Sequence, residues 1–476
     1  MIKMTVKLDK SINFEISYPV VIVGGGAAGL TAALAARDEG ADVLVLERDN
    51  EPRGTTSMSQ GNIAGAGTKS QKEKGIDDSG EIFAKDIINL TKGKTNHYLA
   101  KSFANESGKT IDWLVEKHRI PLELDLDWGA KLGHSKPRIH CTPSKTGDEL
   151  MTLLLSACNN SGVDILTNAH VTELYKNEKN FIIGLKYERP DGSSDTVGCS
   201  SLIVATSGFG ANREMIKKFI PEMTNAIYHG HEGNDGAGIN WGIDLGAATE
   251  DMSSFQGLGA LSEPSRILIH YNTILRGGII VNTEGKRFTD ESVDISGMGR
   301  KVSAQPEGFV WFIFDKKIHT FSKKYQEHKD AIESGAIKKA NSTEQLANII
   351  KIPMKNLKKT INEIHKIQNG SMRDPFGRKF ESDLVLEGPP WYTAKCVGAL
   401  FHTQGGLVIN EFAQVIKNDG KILPNFYAAG GTARSISGPA DWGYIPAAGL
   451  FTATTQGRIA GQNAAKHNKR KENKIK

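Results

Sequence analysis

Three glycines near the start of the chain are spaced for binding phosphate groups. Gly24, Gly26 and Gly29 form the pattern Gly-x-Gly-x-x-Gly between an apolar run and an alanine-rich one. The first glycine permits a tight turn, the second lets backbone approach a pyrophosphate, and the third lets a helix pack closely on a strand. Glu47 follows about twenty residues later, where a carboxylate accepts hydrogen bonds from ribose hydroxyls. The pattern therefore predicts a dinucleotide site.

The elements around these residues are predicted to form a strand–helix–strand unit. Pro19–Val23 and Ala41–Glu47 are predicted strands, and Leu30–Glu39 is a predicted helix whose N-terminus offers free N–H groups to the phosphates. Further elements are predicted as a strand meander at Val163–Leu166, His170–Leu174 and Phe181–Tyr187, a buried strand at Leu202–Thr206, and helices at Asn341–Lys351 and Met354–Gln368, the first with a capping box at Ser342 and Gln345.

Three later loops favour FAD over a nicotinamide cofactor. Arg53–Gly61 combines small hydroxyl residues with glycines, which suits a backbone that lies against a flat ring. Val204–Gly210 closes a second apolar strand, and Asn425–Gly431 precedes a glycine-rich helix that is predicted to end at Gly461. Loops spread so widely along the chain fit a long, extended cofactor.

Composition and cysteine usage exclude several other classes. The 476 residues are 39% hydrophobic and 24% charged with a net charge of +5, which is typical of a soluble globular protein and predicts no nucleic-acid partner. The 4 cysteines are scattered without a Cys-x-x-Cys pair, so no metal is expected and redox chemistry must come from an organic cofactor. No membrane span or export signal is predicted, and we expect a cytoplasmic protein.

Seven segments, in order, resemble the fumarate reductase/succinate dehydrogenase flavoprotein superfamily, in its soluble branch with fumarate, urocanate and 3-ketosteroid enzymes. They lie at 21–36, 202–212, 233–248, 277–291, 388–396, 402–410 and 423–431. The resemblance implies an α/β fold: a Rossmann-like, glutathione-reductase-type FAD-binding domain (1–230 and 375–465) interrupted by a mixed α+β capping domain (231–374). A basic disordered tail is expected at 466–476.

The resemblance also implies how FAD is held. Covalent members attach FAD through a histidine in the segment that corresponds to 54–61, which contains none here, so non-covalent binding is predicted. An acidic residue that often contacts the ribityl chain is Gly431 here. The predicted cofactor-binding residues are Gly24, Gly26, Ala28, Gly29, Glu47, Arg48, Thr55, Thr56, Ser57, Gly61, Val171, Ala205, Thr206, Gly208, Asn212, Asp235, Gly430, Gly431, Ala448, Gly449 and Leu450.

One chemistry that the resemblance implies is enoate reduction, as in fumarate or urocanate reductases. His402 and Thr403 resemble the pair that holds a substrate carboxylate in those enzymes. Their proton-donating arginine, however, falls on Ile295 in an ungapped alignment, and Arg300 replaces it only with compensating gaps. Their carboxylate-clamping arginine falls around Asp441, which has the opposite charge.

The other implied chemistry is α,β-dehydrogenation of a ketone. Gly54–Ser57 resembles a turn of the 3-ketosteroid dehydrogenases, and Tyr444 stands where the 4-ene enzymes keep a tyrosine, although the serine that follows it in the family is Pro446 here. An unperturbed tyrosine has a pKa near ~10, so Tyr444 is expected either to act as a phenol or to have its pKa lowered by the helix N-terminus at 446–450, which favours a phenolate base. The backbone N–H groups of Ala448 and Gly449 are expected to stabilise an enolate.

We therefore expect an FAD-dependent dehydrogenase acting on CH–CH groups, with Tyr444, His402 and Thr403 as catalytic residues and His140, Arg434 and Gly449 in substrate binding. The expected substrate is a cyclic ketone such as an oxo-cyclohexane carboxylate or a 3-ketosteroid. The reverse ene-reduction, a fumarate- or urocanate-like enoate reductase, and a non-catalytic flavoprotein partner remain alternatives. Electrons are expected to pass to or from an external acceptor or donor.

Overall fold

The computed structural model describes residues 5–9, 12–380 and 384–475, with side chains as far as His467. These residues form two compact units. The first takes the described residues up to 221, then 230–255 and those from 402 onward; the second takes 222–229 and 256–401. Units defined by packing need not coincide with domains, so the predicted limits at 231 and 374 stay a prediction.

The first unit is built on a nine-stranded sheet in the described residues. Along its main path the strands are Thr5–Leu8, His170–Lys176, Ile182–Glu188, Ser194–Val204, Ser17–Val23, Val43–Leu46 and Asp164–Leu166; Ile422–Ala428 also pairs with Ser194–Val204, and Gln414–Ile416 pairs with Ile422–Ala428. Smaller sheets join Ile63–Ala64, Ile139–Cys141 and Glu123–Leu124, and pair Thr249–Glu250 with Gly406–Leu407.

The predicted strand–helix–strand unit is confirmed. Ser17–Val23 and Val43–Leu46 are parallel neighbours in which Val20 pairs with Val43, and the helix Ala27–Asp38 connects them. All four residues of the second strand are buried, as expected for parallel strands covered on both faces. Such a unit places the residues that follow each strand at one edge of the sheet.

The predicted meander is correct in part. His170–Lys176 and Ile182–Glu188 are antiparallel neighbours, as expected, and Ser194–Val204, which was not part of the predicted meander, pairs antiparallel with Ile182–Glu188. Asp164–Leu166 is not one of them, because it lies parallel to Val43–Leu46 on the other side of the sheet. A short apolar run fits either position, and only the long-range pairing decides between them.

The helices of the first unit include a long C-terminal one that packs on the first. The helices are Ala27–Asp38, Gly54–Ser57, Lys69–Glu73, Gly80–Leu90, His97–Glu116, Gly147–Asn160, Arg213–Phe219, Ala237–Asp244 and Ala448–Ile475. Cβ atoms at Gly457 and Gly461 would overlap the carbonyl oxygens of Ala28 and Ala32, so these glycines permit the close approach. The last helix does not end at Gly461; it continues through the predicted tail as far as Ile475.

The second unit contains a six-stranded sheet with helices beside it. Its strands are Ile227–Tyr228, Phe255–Ser262, Ile279–Val281, Phe309–Asp315, Lys338–Ala340 and Trp391–Thr403; its helices are Asn272–Leu275, Met298–Ser303, Lys316–Ser322, Gln326–Glu333, Thr343–Ile350 and Met354–Gln368. Met354–Gln368 was predicted to the residue, and Ser342 accepts the predicted capping bond from Gln345 N at 3.1 Å. No helix in the described part of the chain is long and apolar enough to cross a membrane.

Candidate active site

A cleft lies at the carboxyl ends of three parallel strands in the first unit, where Gly24, Glu47 and Ala205 follow Ser17–Val23, Val43–Leu46 and Ser194–Val204. The empty space at the cleft, including the part open to solvent, is about 890 Å³. The predicted cofactor-binding residues on its wall are Gly24, Gly26, Ala28, Glu47, Arg48, Thr55, Thr56, Val171, Ala205, Thr206, Asp235, Gly430 and Gly431. The structure thus brings together residues from four distant parts of the sequence.

The three glycines of the N-terminal motif differ in what surrounds them. Gly24 has φ +104°, and a Cβ there would overlap the carbonyl oxygen of Ala205. A Cβ at Gly29 would overlap the carbonyl oxygen of Gly24, so the helix packs on the strand through bare backbone. At Gly26, which lines the cleft, a Cβ would meet only Thr56 Oγ1 at 4.0 Å. Gly24 and Gly29 are therefore required by the fold, whereas Gly26 keeps the cleft open for a ligand.

The Glu47 carboxylate is fixed by backbone at the rim of the cleft. Its Oε2 accepts a hydrogen bond from Gly25 N at 2.7 Å, and its Oε1 accepts one from Asp49 N at 3.0 Å. Each carboxylate oxygen has a second lone pair for a ligand hydroxyl. In the neighbouring Arg48, Nε lies 3.3 Å from Asp49 Oδ1 and Nη1 lies 4.0 Å from Asp235 Oδ2. The rim therefore combines a preorganised acceptor with a cation.

The hydroxyl-rich segment forms a single helical turn, Gly54–Ser57, beside the cleft. Thr55 Oγ1 accepts hydrogen bonds from Asn234 Nδ2 at 2.7 Å and His231 N at 3.2 Å. Ser57 Oγ donates to Gly54 O at 3.0 Å. These hydroxyls hold the turn, so the backbone is presented to the cleft in one conformation.

His402, Tyr444 and Gly449 meet at a second place in the first unit, which we call the His–Tyr corner. The two rings are in edge-to-face contact, with centroids 5.8 Å apart. A Cβ at Gly449 would lie 3.1 Å from His402 Nε2 and 3.8 Å from Tyr444 Oη, so both polar atoms face this glycine. His402 and Gly449 are partly exposed, whereas Tyr444 is buried.

Both polar side chains of the corner are neutral at ordinary pH. Burial lowers the pKa of His402 to about 4. Burial also raises the pKa of Tyr444 well above 10, and the hydrogen bond from Gly449 N–H offsets only part of that rise. The predicted phenolate is therefore wrong, because desolvation outweighs the helix N-terminus.

The predicted pair of enolate-stabilising N–H groups is contradicted for Ala448 only. Ala448 N donates to Ile445 O at 3.0 Å, in a turn where the chain closes back on itself at Ala447, which has φ +65°. The role of Gly449 N–H stays a prediction.

Comparison with known proteins decides which cofactor the cleft serves. The family model of the FAD binding domain matches residues 19–443. The chain belongs to this family. It is 28% identical to a probable fumarate reductase of Shewanella frigidimarina over 448 residues, which are 94% of this chain and 75% of that protein. These findings establish an FAD protein of the fumarate reductase/succinate dehydrogenase flavoprotein superfamily, and an oxidoreductase acting on CH–CH groups.

Two solved structures share its fold. The open conformation of a flavocytochrome c3 fumarate reductase aligns with a TM-score of 0.80 at 27% identity, covering 96% of this chain and 79% of that one. A 3-ketosteroid-Δ4-(5α)-dehydrogenase from Rhodococcus jostii, in complex with 4-androstene-3,17-dione, aligns with a TM-score of 0.73 at 23% identity, covering 95% and 98%. The predicted α/β flavoprotein fold is confirmed.

The cleft residues of this FAD protein fit the cofactor. Trp241 lines the cleft, is 1% exposed, and has no hydrogen-bond partner for its Nε1 among the described residues. A buried N–H without a partner is rare and costly, so a ligand atom that accepts its bond resolves the cost. Together with the open Gly26 backbone and the Glu47 acceptor, this orphan donor suits a dinucleotide with phosphate and hydroxyl groups.

Some predicted cofactor-binding residues of the flavoprotein lie off the cleft wall: Gly29, Ser57, Gly61, Gly208, Asn212, Ala448, Gly449 and Leu450. Several support the fold around it. A Cβ at Gly61 would lie 2.7 Å from Thr146 O, and Asn212 caps the helix Arg213–Phe219 while donating to Asp235 O at 2.8 Å. Ala448–Leu450 belong to the start of the last helix, at the His–Tyr corner.

The remaining predicted substrate and catalytic residues have protein partners. His140 is fully buried, with Nδ1 bonded to Arg138 O and Nε2 near the hydroxyls of Thr68 and Ser70 at 3.1 and 3.0 Å. Arg434 is buried and paired with Asp251 at 2.6 Å and with Glu250. Thr403 Oγ1 accepts a hydrogen bond from Phe209 N at 3.1 Å.

Residues that the sequence did not single out also line the cleft, among them Asp49, His170, Asn234, Trp241 and Ala453. Asn234 lies inside the matched segment 233–248, which is the signal that pointed to it. Trp241 lies in the same segment, but its residue type adds nothing to that signal, because a tryptophan on an alanine- and glycine-rich helix is equally typical of a core. Among the described residues, no group of three or more His, Cys, Asp and Glu is placed to hold a metal ion.

Proposed function

We propose that this flavoprotein adds or removes hydrogen across the carbon–carbon bond α,β to a ketone, and that cyclic ketones are its substrates. The observation that carries the proposal is the His–Tyr corner, where two neutral hydrogen-bonding side chains face a bare glycine. FAD, when bound, exchanges the hydride with the β-carbon. The corner supplies what remains, a proton for the α-carbon and a donor for the carbonyl oxygen.

Tyr444 handles the proton at the α-carbon in this proposal. Because its pKa is raised above 10, the phenol keeps its proton at neutral pH and is ready to donate it during reduction of an enone. Dehydrogenation requires Tyr444 to lose that proton before it can accept one from the α-carbon. The resting protonation state of Tyr444 therefore suits reduction, after which solvent restores the phenol and an external donor restores the electrons.

The positions where cations would bind a dicarboxylate support a ketone substrate instead. Arg434 is already paired with Glu250 and Asp251, and Asp441 stands where relatives are expected to clamp a carboxylate. In the second unit, Ile295 packs against an apolar cluster at the position expected for a proton-donating arginine. A ketone oxygen needs a neutral donor such as His402, whereas two carboxylates need cations.

A second candidate function is enoate reduction of the fumarate type. It is favoured by the relative named a fumarate reductase, which matches over 94% of this chain. In that case Arg300 of the second unit would deliver the proton. A flavoprotein without catalysis is the remaining alternative, and any turnover excludes it.

The test compares Tyr444→Phe with Arg300→Lys on two substrate panels. Enones of oxo-cyclohexane carboxylates and of 3-ketosteroids, and then fumarate and urocanate, are offered with a reduced dye. Tyr444→Phe should lower turnover of the enones about 10²–10⁴-fold, because it removes the acid and keeps the ring. Tyr427→Phe is the matched control, since its hydroxyl is also buried and donates to Asn463 O at 3.4 Å.

Either result is decisive. Turnover of Tyr444→Phe close to that of the wild type on every active substrate would rule out the ketone proposal. Turnover of fumarate or urocanate that depends on Arg300 and not on Tyr444 would establish the second candidate instead.

We also propose that FAD is bound without a covalent link, because the segment 54–61 contains no histidine. Acid precipitation of the yellow protein should release intact FAD into the supernatant. Colour that remains with the denatured polypeptide would contradict this proposal.

A further inference from the structure

Gln404 lies two residues beyond His402 and connects it to Ser437. Gln404 Nε2 is 2.8 Å from His402 Nδ1, and Ser437 Oγ donates to Gln404 Oε1 at 3.0 Å. Gln404 is 4% exposed and Ser437 is fully buried. The backbone of Gln404 is held on both sides, by Ser254 O at 2.8 Å and by Ser435 N at 2.9 Å. The amide is therefore held beside the imidazole, with its nitrogen placed toward His402 Nδ1 and its oxygen toward Ser437.

The orientation of this amide decides which imidazole nitrogen carries the proton. An amide nitrogen only donates hydrogen bonds, so His402 Nδ1 must be the acceptor. The pKa of His402 is lowered to about 4, so the neutral ring holds a single proton, which is then on Nε2. Nε2 is the nitrogen that faces Gly449. A competing acceptor for a proton on Nδ1, Thr403 O, is farther away at 3.4 Å.

We propose that Gln404 is a positioning residue that fixes His402 as the Nε2–H tautomer, so that its N–H points into the His–Tyr corner and donates to the substrate oxygen. This inference rests on the proposed function for its role in catalysis. Without Gln404, the proton moves to Nδ1 and bonds to Thr403 O. Nε2 then presents a lone pair to the carbonyl oxygen, which repels it instead of polarising it.

Two substitutions separate this role from simple packing. Gln404→Met keeps the length of the side chain and removes the donor. Gln404→Glu keeps the shape, but its carboxylate only accepts hydrogen bonds, so it selects Nδ1–H and raises the pKa of His402. Gln345→Glu, at an exposed helix cap in the second unit, is the control for the added charge.

The tautomer is measured on the FAD-loaded protein by NMR of ¹⁵N-histidine, with the His402 signals assigned from their loss in His402→Gln. We expect an acceptor-type Nδ1 and a protonated Nε2 in the wild type and in Gln345→Glu, and the reverse in Gln404→Glu. Turnover of the enone should fall about 10- to 100-fold in both Gln404 variants, mainly in kcat, as for loss of a group that orients a reacting residue. The turnover of Gln404→Glu should also become pH-dependent on the acid side, because the raised pKa of His402 brings its titration into that range.

A protonated Nδ1 in the wild type would overturn the inference whatever the substrate proves to be. The expected tautomer with unchanged turnover in both Gln404 variants would overturn the positioning role, as would reduced turnover without a change of tautomer in Gln404→Glu. Failure of the proposed function is seen separately, because Tyr444→Phe would then keep its activity while the NMR result stands.

Discussion

The FAD cleft and the His–Tyr corner are built in different ways. The cleft is formed by backbone: Gly24 and Gly29 allow strand, turn and helix to touch, and Glu47 is held by two main-chain N–H groups. The corner is formed by side chains, which meet around Gly449 and depend on the amide of Gln404. A site made of backbone should tolerate the loss of single side chains but fail when atoms are added. A site made of side chains should tolerate added atoms better but fail when a single side chain is lost.

The largest effect is expected from adding one methyl group to the cleft. Gly29→Ala places a Cβ on the carbonyl oxygen of Gly24, and neither backbone can move without opening the helix–strand contact. We expect a loss of about 3 kcal/mol, the upper end for overpacking, measured by thermal unfolding of the apoprotein. Gly26→Ala is the control, since its Cβ meets only Thr56 Oγ1 at 4.0 Å. It should keep the stability and weaken FAD binding; equal destabilisation by both would contradict the distinction.

Glu47→Ala tests the one side chain on which the cleft is expected to depend strongly. It removes the bonds to Gly25 N and Asp49 N together with a charged acceptor for the ribose. FAD affinity, titrated on the apoprotein, should fall by about 1.5–3 kcal/mol. Glu47→Gln should lose less FAD affinity than Glu47→Ala, because its amide oxygen still accepts a hydrogen bond. Substrate preference at saturating FAD should not change, and a changed preference would contradict a role confined to the ribose.

Trp241→Phe is expected to have a smaller effect on the same affinity. The indole N–H has no partner among the described residues, so a bond to FAD is its natural use, and losing it should cost about 1 kcal/mol. Trp311 is a matched control in the second unit, because its buried Nε1 also lacks a partner within the described ranges. Trp311→Phe should leave FAD affinity unchanged; a loss equal to that of Trp241→Phe would indicate a general effect of tryptophan removal.

The sequence predicted the parts of both regions that depend on local pattern. The glycine motif and the helix Met354–Gln368 were found because spacing within a single element determines them. The partner of Asp164–Leu166 was missed because the sequence of a strand does not indicate which neighbouring strand it pairs with.

The corner was predicted in its residues but not in its electrostatics. Tyr444 and His402 were expected from the resemblance, yet the phenolate was wrong, because desolvation depends on everything packed around the ring. Arg434 was expected in substrate binding, and its pairing with Asp251, which is far away in the sequence, is seen only in the folded chain.

The smallest expected effect concerns pH. His402 has its pKa lowered to about 4 and Tyr444 has its pKa raised above 10, so neither titrates between about pH 6 and 9. Enone turnover should be flat over that range for the wild type, as measured in single-turnover reduction with FAD saturating. A rate that falls through pH 6–7 would mean that His402 titrates near its ordinary pKa. A rate that falls near pH 8 would mean that Tyr444 loses its proton there and forms a phenolate after all.

Stability should respond to the same groups outside that range, with signs that follow from their shifts. His134, His140 and His402 all have pKa values lowered to about 4 from the ordinary 6.5, so the unfolded chain binds more protons than the folded one between those values. Their contribution to stability is complete above pH 6.5 and is lost as the pH falls toward 4. Tyr444 is shifted upward, so stability falls as the pH rises above 10. Chemical denaturation of His402→Gln across pH 4–7 should show a shallower loss of stability than the wild type, because one histidine fewer binds a proton on unfolding. An unchanged slope would mean that burial does not hold His402 neutral.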